Sequence, residues 1–534
     1  MIRRKLSFLT VIFDQTYWLR PPRQSSPVTG ISDSYRGRHG SLDTTLSSVS
    51  GTSVSYRVRH GSLDTTLSSV TGSSDGCRRG STDTTLSVNS DSLTSLLAGA
   101  RSFYGRAQSR RKSTSNQANL IDWNVEVLLS SLRKVVAIRQ NADTSRKTRR
   151  RVSGYSSLRL GEAYDGAPIE ELTGIIELPV FNDKVVDHRT GTDLLDGDVR
   201  TQLRRYVLEI ASMYQDNPFH NLEHASHVTM SANKLMNRIV VPEDVDYEQG
   251  DAKRKQDLIA LAERVHNSTF GISSDPLAQF AIIFSALIHD VDHTGLPNSQ
   301  LVKEGVSTAI RFQGLSVAEQ NSVSVAWSLL MEPEYEKLRM TIFPTASECK
   351  RFRQLVVNVV LATDIIDSKL QQLRKNRWDK AFHATSVLSD DVEKDMNRKA
   401  TIVMEHIIQA SDVAHTMQHW HTYCKWNEKL FQERYRAFLT GHEEEDPSES
   451  WYEDEIRFFD NYVIPLANKL KECGVFGVSS DEYLGFAIEN RAEWEMKGRE
   501  VVQAMLHRVQ QDDTRRLLIP QNSTVRFQLD LQQP

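Results

Sequence analysis

Histidine and aspartate residues stand at the ends of separate apolar segments of the chain. His289 and Asp290 close one apolar run, and Asp412 ends the run TIVMEHIIQASD. Further upstream, His220 and His224 stand in the stretch FHNLEHA. Burying such groups without partners costs several kcal/mol, whereas imidazole and carboxylate groups together are ligands of zinc and of harder divalent ions. The pattern therefore predicts that three segments deliver ligands to a metal site.

Each of these groups also has a simpler structural interpretation. A buried histidine is often satisfied by a backbone carbonyl, and an aspartate can cap a helix. Three apolar segments that all deliver metal-type ligands favour the metal interpretation over three separate coincidences. His220 and His224 are four residues apart, so a helix through both would place them on one face.

The body of the chain, residues 166–510, has the apolar spacing of helices. Apolar residues recur three and four positions apart, and Pro, Gly, Asp and Asn separate the runs. No strand-type alternation persists, so we expect one large all-α domain. Residues 242–270 are polar and charged and are interpreted as an inserted surface loop, with a contact element as the alternative. The clearest predicted helices cover residues 200–214, 277–289, 350–363, 399–411 and 455–471.

Residues 1–118 differ from this body in composition. They hold 16 basic and seven acidic residues, and an imperfect repeat, RHGSLDTTLSSV, begins at residue 38 and again at residue 59. The repeats contain too few large apolar residues to bury a core, so we expect disorder. Serines that follow an arginine by three positions suit a kinase that prefers upstream basic residues; they are Ser41, Ser62, Ser81, Ser113 and Ser153. The alternative is a solvated Arg/Ser-rich tail.

Residues 119–165 are predicted to form an amphipathic helix and a basic linker that contains the cluster RKTRRR. A basic amphipathic helix is typical of segments that bind calmodulin or an acidic membrane surface, which makes 119–151 a candidate contact. The alternative, which we favour, is that the helix docks on the neighbouring domain. Residues 511–534 are polar and are predicted to form a C-terminal tail.

Composition excludes several other classes of protein. Four cysteines without a CxxC pair argue against a disulfide framework and a cysteine zinc site. No apolar stretch approaches the roughly 20 residues of a membrane span. We therefore expect a cytoplasmic protein that reaches membranes only through a partner or its basic tail. That tail lacks interleaved aromatic residues, so no nucleic-acid partner is expected, and the oligomeric state is not predicted.

Several motifs follow one another along the body of the chain. They are FHNLEHA, HDVDHTGLPN, LATD and ASDVAH, and then FFDNYVIPL and ENRAEW. In this order they resemble the catalytic domain of the class I 3′,5′-cyclic nucleotide phosphodiesterases, whose pattern is HNxxHA, HDxxHxGxxN, LATD and a ligand aspartate. The resemblance covers residues 166–505 and not the first 118 residues. It implies a large, multi-helix, HD-type metal-dependent phosphodiesterase domain.

The resemblance implies two divalent metal ions. By position, the ligands of a zinc ion would be His224, His289, Asp290 and Asp412. Asp290 would also bridge to a second ion, magnesium or manganese. Such ions supply a nucleophile at neutral pH and polarise a phosphate ester.

Further family positions surround this centre. His220 matches the general acid that would protonate the leaving ribose O3′, a role that suits a group titrating near neutral pH. The other matches would orient waters and metal ligands; they are His293, Asn298, Glu319, Thr363 and Asp364.

The nucleotide pocket departs from the family pattern. Phe458 matches the phenylalanine that stacks on the purine, but Glu455 stands where the family has a glutamine. An ionised carboxylate only accepts hydrogen bonds, and guanine offers two adjacent donors where adenine offers one beside an acceptor. We therefore expect cGMP to be preferred over cAMP, unless Glu455 faces solvent or a neighbour reads the base. Asn221 and His415 are the other expected substrate contacts, and His415 replaces a family asparagine.

The expected reaction is hydrolysis of the 3′ phosphoester bond of a 3′,5′-cyclic nucleotide to the 5′-monophosphate, which would end a cyclic nucleotide signal. An HD-type phosphohydrolase for another phosphate ester is an alternative, which the separate HNxxH segment and Phe458 disfavour. A further alternative is a catalytically inactive sensor or scaffold that binds cyclic nucleotides. The retention of all four ligand positions and of His220 argues against it.

Overall fold

Helices dominate the structure, a computed structural model that describes residues 116–139, 174–181, 195–238, 251–383 and 392–517. No strand occurs within these ranges, which confirms the expected all-α class. The repeats, the candidate phosphorylation serines, the cluster RKTRRR and residues 518–534 lie outside the described residues. The α-helices are α1, 116–139; α2, Gly197–Met213; α3, Leu222–Asn237; α4, Asp251–Ser268; α5, Pro276–Ile288; α6, Asn298–Glu304; α7, Ser307–Arg311; α8, Val317–Leu330; α9, Glu336–Ile342; α10, Ala346–Leu361; α11, Ser368–Trp378; α12, Val392–Asp412; α13, Trp420–Leu439; α14, Trp451–Phe458; α15, Ile464–Glu472; and α16, Val478–Leu517.

Each of the five clearest predicted helices occurs, as α2, α5, α10, α12 and the pair α14 and α15. The last predicted helix is interrupted by a π turn, Phe459–Val463, between α14 and α15. The interpretation of 242–270 as a surface loop is wrong for α4, because apolar residues spaced three and four apart, Leu258, Leu261 and Val265, outweigh its many charges. The long helix α16 continues to Leu517, beyond the predicted boundary at 510.

The core is built around α5. Only its first residue, Pro276, and Gln279 are not buried, and the helix packs against α3, α10 and α12. Asp275 caps its N-terminus by accepting a hydrogen bond from the Ala278 N–H at 3.2 Å, and a proline in the first turn is already set for helical φ. Because α5 is buried along its length, the polar residues that follow it lie inside the protein.

The N-terminal helix α1 docks on this body, as the sequence analysis favoured. Leu128 and Leu132 are fully buried in the same apolar core as α5. Asn124 is also buried and donates from Nδ2 to the hydroxyl of Ser226 on α3 at 2.8 Å. Arg139 donates to the carbonyl of Ile342 at 2.6 Å at the other end of α1. Within the described ranges, no helix is long and apolar enough to cross a membrane.

Candidate active site

Four predicted metal ligands converge at the ends of three helices. His224 lies in the first turn of α3, His289 and Asp290 follow α5, and Asp412 is the last residue of α12. The Nε2 atom of His224 lies 3.0 Å from Oδ1 of Asp412 and 3.5 Å from Oδ2 of Asp290. The Nε2 atom of His289 lies 3.0 Å from Oδ2 of Asp290 and 3.4 Å from Oδ1 of Asp412. The four side chains therefore present their ligand atoms to one small volume.

This spacing fits a divalent ion. Ligand atoms about 2.0–2.2 Å from a tetrahedral zinc ion lie about 3.3–3.6 Å from one another. The Nδ1 atom of His289 lies 3.1 Å from the carbonyl of Ala286, and donation to that carbonyl leaves Nε2 to face the site. His289 Nε2 and Asp290 Oδ2 are buried, and although they lie 3.0 Å apart, neither forms a hydrogen bond of suitable geometry with a described residue. A metal ion would satisfy both atoms.

The charges of this cluster suit a cation. Burial raises the pKa of Asp412, but the hydrogen bond from His224 and the proximity of His289 outweigh it and hold that pKa below its usual range. Burial also raises the pKa of Asp290, and the neighbouring His289 again outweighs it and lowers the pKa. Both carboxylates are therefore ionised at neutral pH and available as ligands.

His220 stands beside the ligand cluster and is held by a buried carboxylate. Its Nδ1 hydrogen-bonds with Oε1 of Glu433, and its ring stacks on that of His293 with 3.9 Å between centroids. Burial lowers the pKa of His220, but Glu433 more than offsets this effect, and the pKa rises to about 9. The imidazolium is therefore the main form near neutral pH, with its Nε2–H directed away from Glu433.

Glu433, on α13, is the main residue of the site that sequence reasoning missed. Its Oε2 also accepts hydrogen bonds from the backbone N–H groups of Phe219 at 2.8 Å and His220 at 3.0 Å. Burial raises its pKa, but the nearby His220 outweighs this and lowers it to about 2. No motif distinguishes Glu433 from the other acidic residues of α13; only its long-range contact with His220 does.

Polar side chains predicted to support a second ion line one wall of the adjoining cavity. Asn298 donates from Nδ2 to Oε2 of Glu319 at 2.9 Å and to Oδ2 of Asp364 at 3.4 Å. The hydroxyl of Ser316 donates to the same Oδ2 at 2.7 Å, and Thr363 lines the cavity beside them. Burial, followed by repulsion from Asp364, raises the pKa of Glu319 to about 8. Two carboxylates this close favour a nearby cation.

The predicted purine-binding residues line the same cavity, whose volume is about 1030 Å³ when the space open to solvent is included. Phe458 and the buried His415 both line it. Glu455 is only 3% exposed, so it does not face solvent, and Tyr423 donates its hydroxyl to Oε2 of Glu455 at 2.7 Å. Burial raises the pKa of Glu455 to about 7, against the opposing hydrogen bonds of Tyr423 and Asn427.

Two expectations about the first motif need correction. Helix α3 begins at Leu222, so His220 precedes it and shares no helical face with His224; the turn before α3 brings their ring centroids to 6.1 Å. Asn221 caps α3, because its Oδ1 accepts hydrogen bonds from two backbone N–H groups of the first turn at 2.9 and 3.1 Å. Its Nδ2 donates to two carbonyls of the preceding turn. Asn221 therefore positions His224 and does not line the cavity.

The fold and the site together define an all-α protein that gathers a buried His/Asp ligand set beside a cavity. Residues 219–474 of the chain match the family model described as 3′5′-cyclic nucleotide phosphodiesterase. Over residues 219–474, just under half of the chain, the sequence is therefore similar to the catalytic domain of that family.

Curated relatives share the catalytic segment. The mouse dual specificity calcium/calmodulin-dependent 3′,5′-cyclic nucleotide phosphodiesterase 1C is 30% identical over 230 residues, which cover 43% of this chain and 26% of the relative. The Drosophila melanogaster 3′,5′-cyclic-AMP phosphodiesterase, isoform F, is 28% identical over 236 residues, which cover 43% of this chain and 30% of the relative. The chain thus spans under a third of the length of these relatives.

Solved structures also resemble the chain. The phosphodiesterase domain of Salpingoeca rosetta rhodopsin phosphodiesterase aligns with a TM-score of 0.44 at 18% identity, covering 65% of this chain and 98% of that domain.

Proposed function

We propose that this domain hydrolyses the 3′ phosphoester bond of a 3′,5′-cyclic nucleotide and releases the 5′-monophosphate. The observation that carries the proposal is the approach of His220, paired with Glu433, to a four-residue metal-ligand set at one cavity. The match of residues 219–474 to the phosphodiesterase family supports the same reaction.

The residues present fit two divalent ions. His224, His289, Asp290 and Asp412 would hold one ion, for which zinc is our proposal. Asp290 would share the second, magnesium or manganese, with the polar wall around Asp364. Bound ions of this kind polarise a phosphate ester and lower the pKa of water so that it can act as a nucleophile.

His220 is proposed as the general acid. Glu433 occupies its Nδ1, so the proton available to substrate is on Nε2, and a pKa of about 9 keeps that proton in place near neutral pH. The leaving ribose O3′ needs this proton when the phosphoester bond breaks. Glu433 acts through His220, since it fixes the orientation of the ring and its protonation; Glu433 is thus a positioning residue.

Glu455 is proposed to select the base. Tyr423 and Asn427 use two acceptor positions of the Glu455 carboxylate, and the remaining positions would be available to a purine placed against Phe458. An ionised Glu455 would accept both the N1–H and the N2 amino group of guanine, which favours cGMP over cAMP. A protonated Glu455 would offer one donor and one acceptor, the same pair as a glutamine.

Two regulatory contacts near the N-terminal helix α1 are also proposed. Calmodulin or an acidic membrane surface could use 119–151 only if α1 left the core, because Leu128 and Leu132 are fully buried there. A basophilic kinase acting at Ser113 is proposed from the Arg-x-x-Ser spacing alone, because this serine lies outside the described residues.

The test is hydrolysis of cAMP and cGMP, measured side by side with zinc and magnesium or manganese present. We expect both nucleotides to yield 5′-monophosphates and His220→Asn to reduce kcat by about 10²–10⁴-fold. Binding of cyclic nucleotide by metal-loaded wild type without any hydrolysis would instead support the alternative function, a catalytically inactive sensor or scaffold.

A further inference from the structure

A side-chain amide joins the two stacked histidines at the edge of the candidate active site. Asn217 lies in the turn between α2 and α3, and its Nδ2 donates to the backbone carbonyl of His293 at 2.7 Å and to that of His220 at 3.2 Å. The rings of these two histidines stack with 3.9 Å between centroids. One amide nitrogen therefore holds together two backbone segments that α3, α4 and α5 separate in sequence.

The contact depends on the chemistry of a primary amide. The Nδ2 atom of an asparagine carries two hydrogens and can serve two carbonyl oxygens, whereas a hydroxyl donates one hydrogen and an ionised carboxylate donates none. A reversed amide would place Oδ1 of Asn217 against two carbonyl oxygens that repel it. The backbone carbonyl of Asn217 accepts a hydrogen bond from Nδ2 of Asn221 at 2.8 Å, so the turn that carries the amide is also held.

The loop that follows α5 is shaped to meet Asn217. Gly295 has a φ of +79°, and a Cβ atom at this position would lie 3.2 Å from Oδ1 of Asn217 and 3.4 Å from Cγ of Glu433. Glycine suits both the left-handed conformation and this close approach. The Gly295 N–H donates to Nδ1 of His293 at 3.0 Å. His293 is therefore held at its carbonyl by Asn217 and at its ring by Gly295.

The stack restricts how the ring of His220 can move. Glu433 binds one edge of this ring at Nδ1, and a hydrogen bond at a single atom still allows the ring to tilt about that bond. The ring of His293 covers one face of the His220 ring, with 28° between the two planes, and limits the tilt. A general acid must lie within hydrogen-bond reach of the leaving oxygen, and a misplacement of about 1 Å can cost about 100-fold in rate.

We propose that Asn217 is a positioning residue for the general acid. It keeps His293 stacked on His220, and the stack keeps Nε2 of His220 directed at the leaving ribose O3′. Asn217 does not line the substrate cavity, so its loss should reduce kcat and leave KM little changed. The inference rests on the proposed function, because it assigns Asn217 a part in protonating the leaving group.

The test compares two substrates that differ in their need for a proton. One is the cyclic nucleotide that the wild-type chain hydrolyses faster, and the other is its analogue with sulfur in place of O3′. A thiol is a much stronger acid than an alcohol, so the 3′-thiolate leaves without protonation when the P–S bond breaks. Asn217→Ala should reduce kcat about 10- to 100-fold for the oxygen substrate, with KM changed less than about threefold. For the sulfur substrate, kcat should fall less than about threefold.

Two further variants separate hydrogen bonding from folding. Asn217→Asp keeps the shape of the side chain but removes both donors, so it should show the same dependence on the leaving group. It decides the matter if Asn217→Ala fails to fold. Asn237→Ala is the matched control, because Asn237 is exposed on α3 and its amide donates only to Asn233, at 3.1 Å. It should hydrolyse both substrates as wild type does.

The outcomes distinguish this inference from the proposed function. Equal losses of kcat for both substrates in the Asn217 variants, or wild-type rates in both, would overturn the positioning role. His220→Asn is the reference and should also slow only the oxygen substrate strongly. If it slows both substrates alike, the general-acid assignment itself fails.

Hydrogen exchange gives a readout that does not depend on catalysis. Backbone amides of residues 289–296 should exchange several-fold faster in Asn217→Ala than in wild type or Asn237→Ala, because the loop after α5 loses its link to the turn before α3. Unchanged exchange would overturn the link. A chain that shows faster exchange in Asn217→Ala, but whose wild type hydrolyses neither substrate, would fail the proposed function.

Discussion

Replacement of Glu455 by glutamine should remove both the base preference and its dependence on pH. The carboxyl group is buried, and its pKa of about 7 means that it is about one-tenth ionised at pH 6 and about nine-tenths ionised at pH 8. An acid with a raised pKa ionises as the pH rises through that value. The form that accepts both guanine donors therefore dominates only above pH 7.

The size of the effect follows from the base contact. A good bidentate contact discriminates by about 1–3 kcal/mol, or roughly 5- to 150-fold. Because the ionised fraction of Glu455 rises about tenfold between pH 6 and pH 8, the ratio of kcat/KM for cGMP to that for cAMP should rise about three- to ninefold over this range of discrimination. In Glu455→Gln the ratio should stay constant over this range, since a glutamine amide does not titrate.

The assay measures both substrates in the same reactions at each pH. Protonation of His220 affects both nucleotides alike and cancels in the ratio. Glu453→Gln is the matched control, because Glu453 lies on the same helix, is 44% exposed and pairs with Arg499 at 2.8 Å; it should behave as wild type does. A wild-type ratio that does not change with pH, or a pH-dependent ratio that persists in Glu455→Gln, would refute the reasoning.

Three further changes test other parts of the structure. Glu433→Gln should lower the pKa of His220, reduce kcat about 10²–10³-fold and move the alkaline limb of the kcat profile to lower pH; an unchanged limb would exclude the positioning role. Removal of metal by a chelator should stop hydrolysis and lower the Tm, with up to about 4 kcal/mol restored when free zinc reaches about a thousand times its Kd. Asn124→Ala should lower the free energy of unfolding in urea by about 1–3 kcal/mol, because its bond to Ser226 is lost, whereas exposed Glu126→Ala on the same helix should change it little.

Much of the candidate metal site could be predicted because its proposed ligands are tied to local features. His289 and Asp290 follow a helix that is buried along its length, and Asp412 ends another largely buried helix. A polar group at the end of a buried helix must find a partner, and this requirement is visible in a single stretch of sequence. The all-α fold was predictable for the same reason, since helical periodicity is local.

Local patterns misled where a boundary decided the outcome. The spacing of His220 and His224 indicated a shared helical face. The helix begins only after its N-cap, Asn221, so His220 lies outside it. A cap depends on one side chain and the turn that precedes it, and the periodicity of the following residues does not record it. Asn221 was expected to contact the substrate, but its side chain makes the hydrogen bonds of this cap.

Only the tertiary structure decided which distant groups meet. The contact between Glu433 and His220 joins positions 213 residues apart. The pKa of Glu455 is likewise set by burial, which raises it, and by the opposing hydrogen bond of Tyr423, 32 residues away. The sequence by itself determined the helices and the kinds of ligand at their ends. Packing determined the protonation states of the site residues and their interaction partners. Burial and electrostatic interactions depend on distances in space, which the spacing of residues along the sequence does not reveal.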